Sequence, residues 1–287
     1  MRNIPLLSLI GLLGAISLSC GEREDDRILL ATTTSLEDSG ILSYLIEAFE
    51  TECEITVRAV AVGSGRSLQL GREGEVDLLL THSPDEERIF MAEGHGSARK
   101  EFTVNCFIVV GPSTDPAGIR GIREGDQALL TIQQSKSLFL SRGDGSGTHT
   151  REKDLWRKAG IVPEWDGYRE TGQGMGATLQ IAAEVGGYTL YDTGTFARWK
   201  SRLDLEALAG GSPEISNTYS VIRVNPGRHP HINAKSARRL AEWLVSEHGQ
   251  TLIADFRIGD EHPFIPIIHR DDSALSMPLQ GSQPDTA

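Results

Sequence analysis

Apolar runs of strand length recur along the chain, separated by segments in which apolar residues keep helical spacing. Residues 28–33 and 102–110 are two such runs, both mostly apolar. After the first, apolar side chains recur every three or four residues over 41–49, which predicts an amphipathic helix with Thr34 or Ser35 at its N-cap. Strands that alternate with helices predict an α/β protein whose sheet is mostly parallel and flanked by helices.

The alternation is repeated in a second unit after residue 112, and the chain then returns to the first. Strands and helices of the same kind continue up to a strand over 215–224. Extended crossings near 111–116 and 213–218 would join the two units, so we expect two lobes with a cleft between them. The predicted limits are 28–112 with 216–269 for lobe 1, and 113–215 for lobe 2.

Four stretches rich in Gly, Ser and Thr lie where predicted strands lead into helices. They are 32–35 (TTTS), 63–67 (GSGRS), 141–149 (SRGDGSGTH) and 172–178 (GQGMGAT). Ligands of α/β sheets bind at this edge, and free backbone N–H groups, hydroxyls and helix N-termini form small-anion sites. Arg142 adds a positive charge to the third stretch. The sequence therefore predicts a small-anion site in the cleft.

Composition and charge narrow the class of function. The chain has 287 residues, of which 39% are hydrophobic and 24% charged, as in a soluble protein with a sizeable core. Its formal net charge of −12 argues against a nucleic-acid partner and would also repel a small anion. An anion site would therefore depend on local, desolvated donors. We expect no metal, because the sequence has no CxxC pair and no ordered His/Cys cluster.

The N-terminal residues predict export. A basic start precedes an apolar run over 4–19, which is short for a membrane span and typical of a signal peptide, placed at 1–20. Ser19-Cys20-Gly21 resembles a bacterial lipoprotein cleavage site, with Cys20 lipidated and 21–27 as a tether. The alternative is a soluble exported protein with an incidental Cys20. Either interpretation places the protein in the periplasm or on the outer face of the cell membrane.

The remaining cysteines and the C-terminus carry less information. Export permits a disulfide between Cys53 and Cys106, but cysteines on separate segments are more often buried apolar residues, so we favour free thiols. Residues 270–287 are polar and rich in Ser and Pro, which predicts a disordered tail.

A series of runs, taken in order, carries a family resemblance. They are ATTTS and DSGIL (31–35, 38–42), VAVGSG (60–65), FIVVGP (107–112), SRGDGSGTH (141–149), LWRKAGI (155–161), GQGMGATL (172–179) and YSVI (219–222). Together they resemble the tungstate-binding proteins of bacterial ABC importers over about residues 28–268. The chain departs from the family pattern at Cys53, where Gly is usual, and at Cys106, where an acidic residue is expected.

The resemblance implies a type II periplasmic binding-protein fold, in which two lobes close on one oxyanion. It also implies that the protein captures tungstate and delivers it to ABC permease subunits in the membrane. On this reading the protein is a monomer, is not an enzyme and needs no cofactor.

Tungstate and molybdate are tetrahedral dianions whose four oxygens only accept hydrogen bonds, so a selective site should offer donors and no carboxylate. We expect Arg142 to contribute most, because a charge-assisted hydrogen bond is worth roughly 1.5–3 kcal/mol against about 1 for a neutral one. The proposed donors are Thr33, Thr34, Ser35 and Ser64 from lobe 1, and Arg142, Ser146, the Gly147 N–H and Thr148 from lobe 2, with Thr178 as a weaker candidate.

Two alternatives stay open. A binding protein for molybdate, sulfate or phosphate would use the same donors, and tungstate is preferred to molybdate by the resemblance alone. A secreted serine hydrolase would use Ser146 with His149 or Asp154. The surroundings of Ser146 argue against it, since Asp144 and Thr148 occupy the Gly positions of G-x-S-x-G. A nucleotide site would need G-x-x-x-x-G-K-[ST], which the chain lacks.

Overall fold

The computed structural model describes residues 27–269 of the chain. The predicted signal peptide, the Cys20 lipidation site and the predicted tail at 270–287 lie outside the described residues. Within the described range, no helix is both long enough and apolar enough to cross a bilayer.

The first half of the fold alternates strands and helices, as the sequence pattern predicts. Its elements are β1 (Arg27–Thr33), α1 (Thr34–Ser39), α2 (Ile41–Cys53), β2 (Thr56–Val62), α3 (Ser64–Glu73), β3 (Leu78–Thr81), α4 (Pro84–Ala92) and β4 (Gly96–Gly111). β1 lies parallel between β2 and β3. This central position buries most of its side chains and explains its nearly continuous apolar sequence.

The second half repeats the alternation before returning to the first sheet. Its elements are α5 (Gly125–Gln134), β5 (Phe139–Ser141), α6 (Gly147–Lys158), β6 (Tyr168–Glu170), α7 (Met175–Val185), β7 (Thr189–Asp192), α8 (Thr193–Trp199), β8 (Glu206–Gly210), β9 (Ser216–Val224), α9 (Ala234–Leu244), α10 (Glu247–Asp255) and β10 (Ile265–Pro266). β5 lies parallel to β6 on one side and bridges the residue before β7 on the other.

β4 is 16 residues long and serves both halves of the molecule. Its first part, Gly96–Cys106, pairs antiparallel with β9, which continues through β3 to β1 and β2. Its second part, Phe107–Gly111, pairs antiparallel with β7 and β8. The result is the predicted two-lobed α/β fold, in which the shared strand and β9 run antiparallel to their neighbours. The residue limits given above for the lobes stay a prediction.

Each lobe has its own apolar core. In lobe 1, helices α2, α9 and α10 cover the sheet and bury side chains such as Phe49 and Phe102. In lobe 2, α5 and α6 cover the second part of β4 and bury Phe139 and Trp156, whose rings meet edge to face at 5.3 Å. Full burial of one such side chain contributes roughly 1.5–3 kcal/mol. The cores therefore hold the turns at the strand ends in fixed positions.

The first helix differs from the prediction in two respects. Gly40 takes the left-handed conformation, with φ of 84°, and separates α1 from α2. The N-cap residue is Thr33 rather than Thr34 or Ser35, and its side chain makes no capping hydrogen bond. The hydroxyls of this turn are therefore left for other partners.

The structure shows no disulfide between Cys53 and Cys106. Cys53 ends α2, and Cys106 is buried on β4 at the point where that strand passes from one lobe to the other. Burial raises the pKa of the Cys106 thiol to about 11, so the thiol stays protonated at neutral pH.

Candidate functional site

The N-terminal turns of four helices line one cleft with a volume of about 520 Å³. α1 and α3 belong to lobe 1 and α6 and α7 to lobe 2, so the cleft lies between the lobes. All four Gly/Ser/Thr-rich stretches of the sequence contribute to it. The lining residues are Thr34, Asp38, Gly63, Ser64, Gly65, Arg66, Arg142, Asp144, Gly145, Ser146, Gly174, Met175, Gly176 and Ala177.

Four of the nine predicted ligand-binding residues line this cleft directly: Thr34, Ser64, Arg142 and Ser146. Thr34 is the first residue of α1. The Ser64 Oγ accepts a hydrogen bond from the backbone N–H of His82 at 3.4 Å, which leaves its own proton for the cleft. The Oγ of Ser146 accepts from a backbone N–H of α6 at 3.4 Å and caps that helix.

Thr33 and Ser35 lie behind Thr34 in buried positions. Their hydroxyl oxygens are 3.1 Å apart. The Ser35 Oγ is also 3.0 Å from the hydroxyl of Tyr219 on β9. These two hydroxyls therefore already belong to a hydrogen-bonded group, and their role as ligands stays a prediction.

Gly147, Thr148 and Thr178 lie behind the lining residues of lobe 2. Gly147 is the first residue of α6. The Thr148 Oγ1 points to the sulfur of Met175 at 3.6 Å, and the Thr178 Oγ1 lies 2.8 Å from the Oγ1 of Thr171. Their hydroxyls tie the α6 and α7 starts to neighbouring chain segments, and direct contact with a ligand stays a prediction for them as well.

The turn before α6 is shaped by two glycines in the left-handed conformation, Gly143 with φ of 61° and Gly145 with φ of 70°. Between them, the Asp144 Oδ1 accepts from the backbone N–H of Ser146 at 3.1 Å. The turn places Arg142 and Asp144 side by side at the cleft. The Gly-rich sequence is thus needed for the backbone path of this turn.

Arg142 is the buried cation of the cleft and is only 6% exposed. Its Nη2 donates to the Asp144 Oδ2 at 2.5 Å, while its Nε has no hydrogen-bond partner in the described part of the chain. Burial by itself would raise the pKa of Asp144, but the hydrogen bonds from Ser146 and the Arg142 charge outweigh it, and the pKa is lowered. The carboxylate stays ionised and offsets part of the Arg142 charge.

Sequence reasoning expected no carboxylate in the site, yet Asp38 and Asp144 both line the cleft. Burial and the neighbouring Glu37 raise the pKa of Asp38, although the charge of Arg142 opposes the shift. Asp38 lies four residues after Thr34 on α1 and therefore on the same helix face. Helical spacing could have identified it.

His82, which follows β3, reaches from lobe 1 to the first residue of α6. A Cβ added to Gly147 would lie 2.7 Å from the His82 Cε1. Its Nδ1 is 2.8 Å from the Asn217 Oδ1, and its ring packs 5.0 Å from that of Tyr219. Loss of hydration lowers the pKa of His82 to about 4, so the ring is neutral at pH 7. No local pattern in the sequence connects His82 to the Gly-rich turns, so its position at the cleft could not be predicted from the sequence.

Comparison with known proteins shows the family of the chain. The family model of the PBP superfamily domain matches residues 21–248. The chain is also 44% identical over 231 residues to the tungstate-binding protein TupA of Peptoclostridium acidaminophilum, a match covering 80% of this chain and 81% of the relative. The chain belongs to the TupA family of the PBP superfamily. The family resemblance predicted from the sequence is thereby confirmed.

Two solved TupA-family structures share the fold. The tungstate-binding protein TupA from Desulfovibrio alaskensis G20 is 37% identical, with a TM-score of 0.76, and the match covers 84% of this chain and 98% of that one. The tungstate ABC transporter protein from Geobacter sulfurreducens is 40% identical, with a TM-score of 0.75. That match covers 80% of this chain and 98% of the Geobacter chain. The predicted fold class is confirmed. The TupA family is one of substrate-binding proteins of ABC transporters and is not an enzyme family.

Proposed function

We propose that the protein captures tungstate outside the cytoplasm and delivers it to the permease of an ABC importer. The observation that carries the proposal is the cleft, in which the buried Arg142 lies among helix N-termini contributed by both lobes. The ion is suggested by the relatives, since the TupA protein at 44% identity is named for tungstate.

The donors of the cleft match a tetrahedral dianion. The first turns of α1, α3, α6 and α7 carry backbone N–H groups that are unpaired within their helices. Thr34 and Ser64 add hydroxyls from lobe 1, and Arg142 and Ser146 add donors from lobe 2. Because neither lobe holds the full set, the anion binds the closed arrangement best and shifts the population towards it.

Arg142 can hold Asp144 and an anion at the same time. Its Nη2 is used by the Asp144 carboxylate, whereas its buried Nε has no partner in the described residues. An unpaired buried donor costs free energy, and an oxyanion oxygen would satisfy it. Roughly 1.5–3 kcal/mol of binding free energy should come from such a charge-assisted hydrogen bond.

A thermal-shift scan with tungstate, molybdate, sulfate and phosphate tests the proposal, with Arg142→Ala beside the wild type. At a free tungstate concentration 100 times Kd, the folded state should gain about 2.7 kcal/mol. We expect Arg142→Ala to lose most of this gain. Stabilisation by phosphate or sulfate without tungstate would refute the assignment. A titration with molybdate, compared with one with tungstate, shows which of the two ions the protein binds more tightly.

The geometry around Ser146 supports a binding role rather than hydrolysis. The His149 Nδ1 accepts from the backbone N–H of Gly145 at 3.0 Å, and the Ser146 Oγ accepts from the backbone N–H of His149. The imidazole nitrogen nearest the turn is thus not free to take the serine proton. We therefore propose that the protein has no catalytic activity, and ester hydrolysis abolished by Ser146→Ala would contradict this.

Export, anchoring and oligomeric state complete the proposal. We expect a lipid on Cys20 to hold a monomer at the outer face of the cell membrane. The Cys20→Ala variant should leave the membrane fraction and appear in the soluble extracytoplasmic fraction. Equal membrane association of both forms would exclude the lipid anchor.

A further inference from the structure

A buried chain of polar side chains crosses the base of the cleft, from β7 of lobe 2 to the first binding turn of lobe 1. It begins at Asp192, which caps α8. The Asp192 Oδ1 accepts from the backbone N–H of Thr195 at 3.0 Å and from the Asn105 Nδ2 at 2.8 Å. The Asn105 Oδ1 then accepts from the Asn217 Nδ2 at 2.9 Å. Asn105 and Asn217 face each other across β4 and β9, the strands that join the lobes.

The chain continues from β9 into lobe 1. The Asn217 Nδ2 also donates to the Tyr219 hydroxyl at 2.9 Å. That hydroxyl lies 3.0 Å from the Ser35 Oγ, which in turn lies 3.1 Å from the Thr33 Oγ1. Each of these residues is buried, and Thr34, between the last two, lines the cleft.

The direction of the hydrogen bonds from Asp192 to Tyr219 follows from the fixed end of the chain. A backbone N–H can only donate, so the Asp192 Oδ1 is an acceptor and the atom of Asn105 that faces it must be the amide nitrogen. The Asn105 oxygen then requires the nitrogen of Asn217, whose two protons go to Asn105 and Tyr219. The Asn217 oxygen is left to accept from the His82 Nδ1–H.

The Tyr219 oxygen accepts from Asn217, and because a buried hydroxyl proton needs an acceptor, we assign that proton to the Ser35 Oγ, 3.0 Å away. Ser35 therefore accepts from Tyr219 and passes its proton on, either to Thr33 or directly to the cleft. If the Ser35 hydroxyl donates to Thr33, the hydroxyl proton of Thr33 is the one that remains available for the anion. In both cases the chain ends in a hydroxyl that has a proton to donate.

We infer that the relay Asp192–Asn105–Asn217–Tyr219 presets the Thr33–Ser35 pair as a hydrogen-bond donor to the bound anion, and so selects fully ionised oxyanions over protonated ones. The inference rests on the proposed function. Tyr219 and Asn217 are positioning residues, since they act through Ser35. At this turn the O–H of a protonated oxyanion such as hydrogenphosphate would meet a preset donor instead of an acceptor, and the Asp144 oxygens of the cleft already accept from Arg142 and the Ser146 N–H.

Two variants test the relay. Tyr219→Phe removes the proton that fixes Ser35, so the Ser35 lone pair becomes open to a protonated anion. Asn217→Asp puts an acceptor against the Tyr219 hydroxyl, which turns the Tyr219 proton away from Ser35 and reverses the relay. Tyr188→Phe is the matched control, because that buried hydroxyl is also hydrogen-bonded, to Asp115 and the Ala117 N–H, in the core of lobe 2.

Calorimetric titration with tungstate, sulfate and phosphate at pH 7 gives the readout, and unfolding without anion reports the fold. We expect tungstate affinity to fall about fivefold in Tyr219→Phe and at least about tenfold in Asn217→Asp. The ratio of sulfate to phosphate affinity should fall in Tyr219→Phe and stay constant in Tyr188→Phe. A purely structural role would weaken both ions by the same factor.

The outcomes separate the relay from the proposed function. If the wild type binds sulfate or phosphate but not tungstate, the proposed function fails, and the ratio of those two ions still decides the relay. If Tyr219→Phe leaves that ratio unchanged, or if the wild type binds tungstate alone and Tyr219→Phe gains no measurable phosphate binding, the relay is refuted. If Asn217→Asp does not fold, Tyr219→Phe alone decides. A wild type that binds none of the three ions overturns both.

Discussion

Arg142 and Asp144 place opposite charges next to each other at the cleft, and their side chains are 8% and 20% exposed. A buried ion pair adds little net stability, but removing one partner leaves the other charge uncompensated. The carboxylate therefore sets how much positive charge an incoming anion meets. Asp144 also shapes the turn, because its Oδ1 accepts from the Ser146 N–H.

Asp144→Asn should strengthen tungstate binding about three- to tenfold, because it removes a negative charge and keeps the Oδ1 that accepts from Ser146. The melting temperature without anion should fall, since Arg142 loses its ion pair. Calorimetry at pH 7 measures the first effect and thermal unfolding the second. Asp154→Asn, which removes an exposed ion pair with Arg157, is the control. Weaker binding in Asp144→Asn would show that the carboxylate positions Arg142 instead.

His82 should make the stability of the protein depend on pH. Its pKa is about 4 when folded, against 6.5 for the free side chain, so the unfolded state takes up the proton first. The free energy of unfolding therefore does not depend on His82 protonation above about pH 6.5. It decreases as the pH falls from 6.5 towards 4, because the unfolded state binds the proton more tightly. Two charged neighbours of His82 shift its pKa in opposite directions, since Glu87 raises it and Arg142 lowers it.

We expect the wild type to lose up to about 3 kcal/mol more than His82→Gln between pH 7 and pH 4, as measured by urea unfolding. The other histidines with lowered pKa, His95 and His149, contribute equally to both proteins and cancel in the difference. Parallel stability curves for the two proteins would show that His82 is well hydrated in the folded state.

At the scale of elements, the site depends on where helices begin. The start of α6 lies against His82 of lobe 1, and a methyl group at Gly147 would come within 2.7 Å of the imidazole. That ring is held by Asn217 and by packing on Tyr219, so it cannot move aside without losing a hydrogen bond. The approach of α6 to lobe 1 therefore requires glycine at this position.

Gly147→Ala should weaken tungstate binding about tenfold or more, because the added methyl group holds α6 away from lobe 1. Gly174→Ala is the matched control, since Gly174 lines the same cleft before α7, has φ of −66° and has open space where an added Cβ would lie. Equilibrium dialysis with tungstate measures the affinity of both variants. Equal affinities for the two variants would mean that the lobes bind the anion without this contact.

Most elements could be predicted from the sequence because their signals are local. The apolar runs predict the strands, and the Gly/Ser/Thr-rich turns predict the starts of the helices that meet at the cleft. Gly40 ends α1 just before the apolar pattern of 41–49, and the N-cap signals at Thr34 and Ser35 suggested one helix across it, so periodicity alone did not reveal the break. Tyr219 is separated from Ser35 by 184 residues and reaches it only because β9 inserts beside β3. Such a contact depends on strand order, which hydrophobic spacing does not specify.

At the scale of the whole molecule, the net charge of −12 opposes the approach of a dianion, although the cleft itself is built to hold one. Association and retention are therefore governed by different parts of the protein. The surface slows the encounter, and the buried donors determine how long the anion stays.

The association rate constant for tungstate should therefore rise about two- to tenfold between 10 mM and 150 mM salt, because the added ions screen the surface charge. Stopped-flow tryptophan fluorescence can measure it, since Trp199 packs against Gly176 in the cleft wall. A rate that falls with salt would show that the local positive field of Arg142 and Arg66 steers the anion.

The strand β4 has a consequence for how the protein unfolds. Its 16 residues contribute hydrogen bonds to the sheets of both lobes, so neither sheet can open without releasing part of the other. The two lobes therefore form one cooperative unit rather than two domains on a linker. Backbone amides far from the cleft, in the core of either lobe, would then exchange with solvent more slowly whenever an anion is bound.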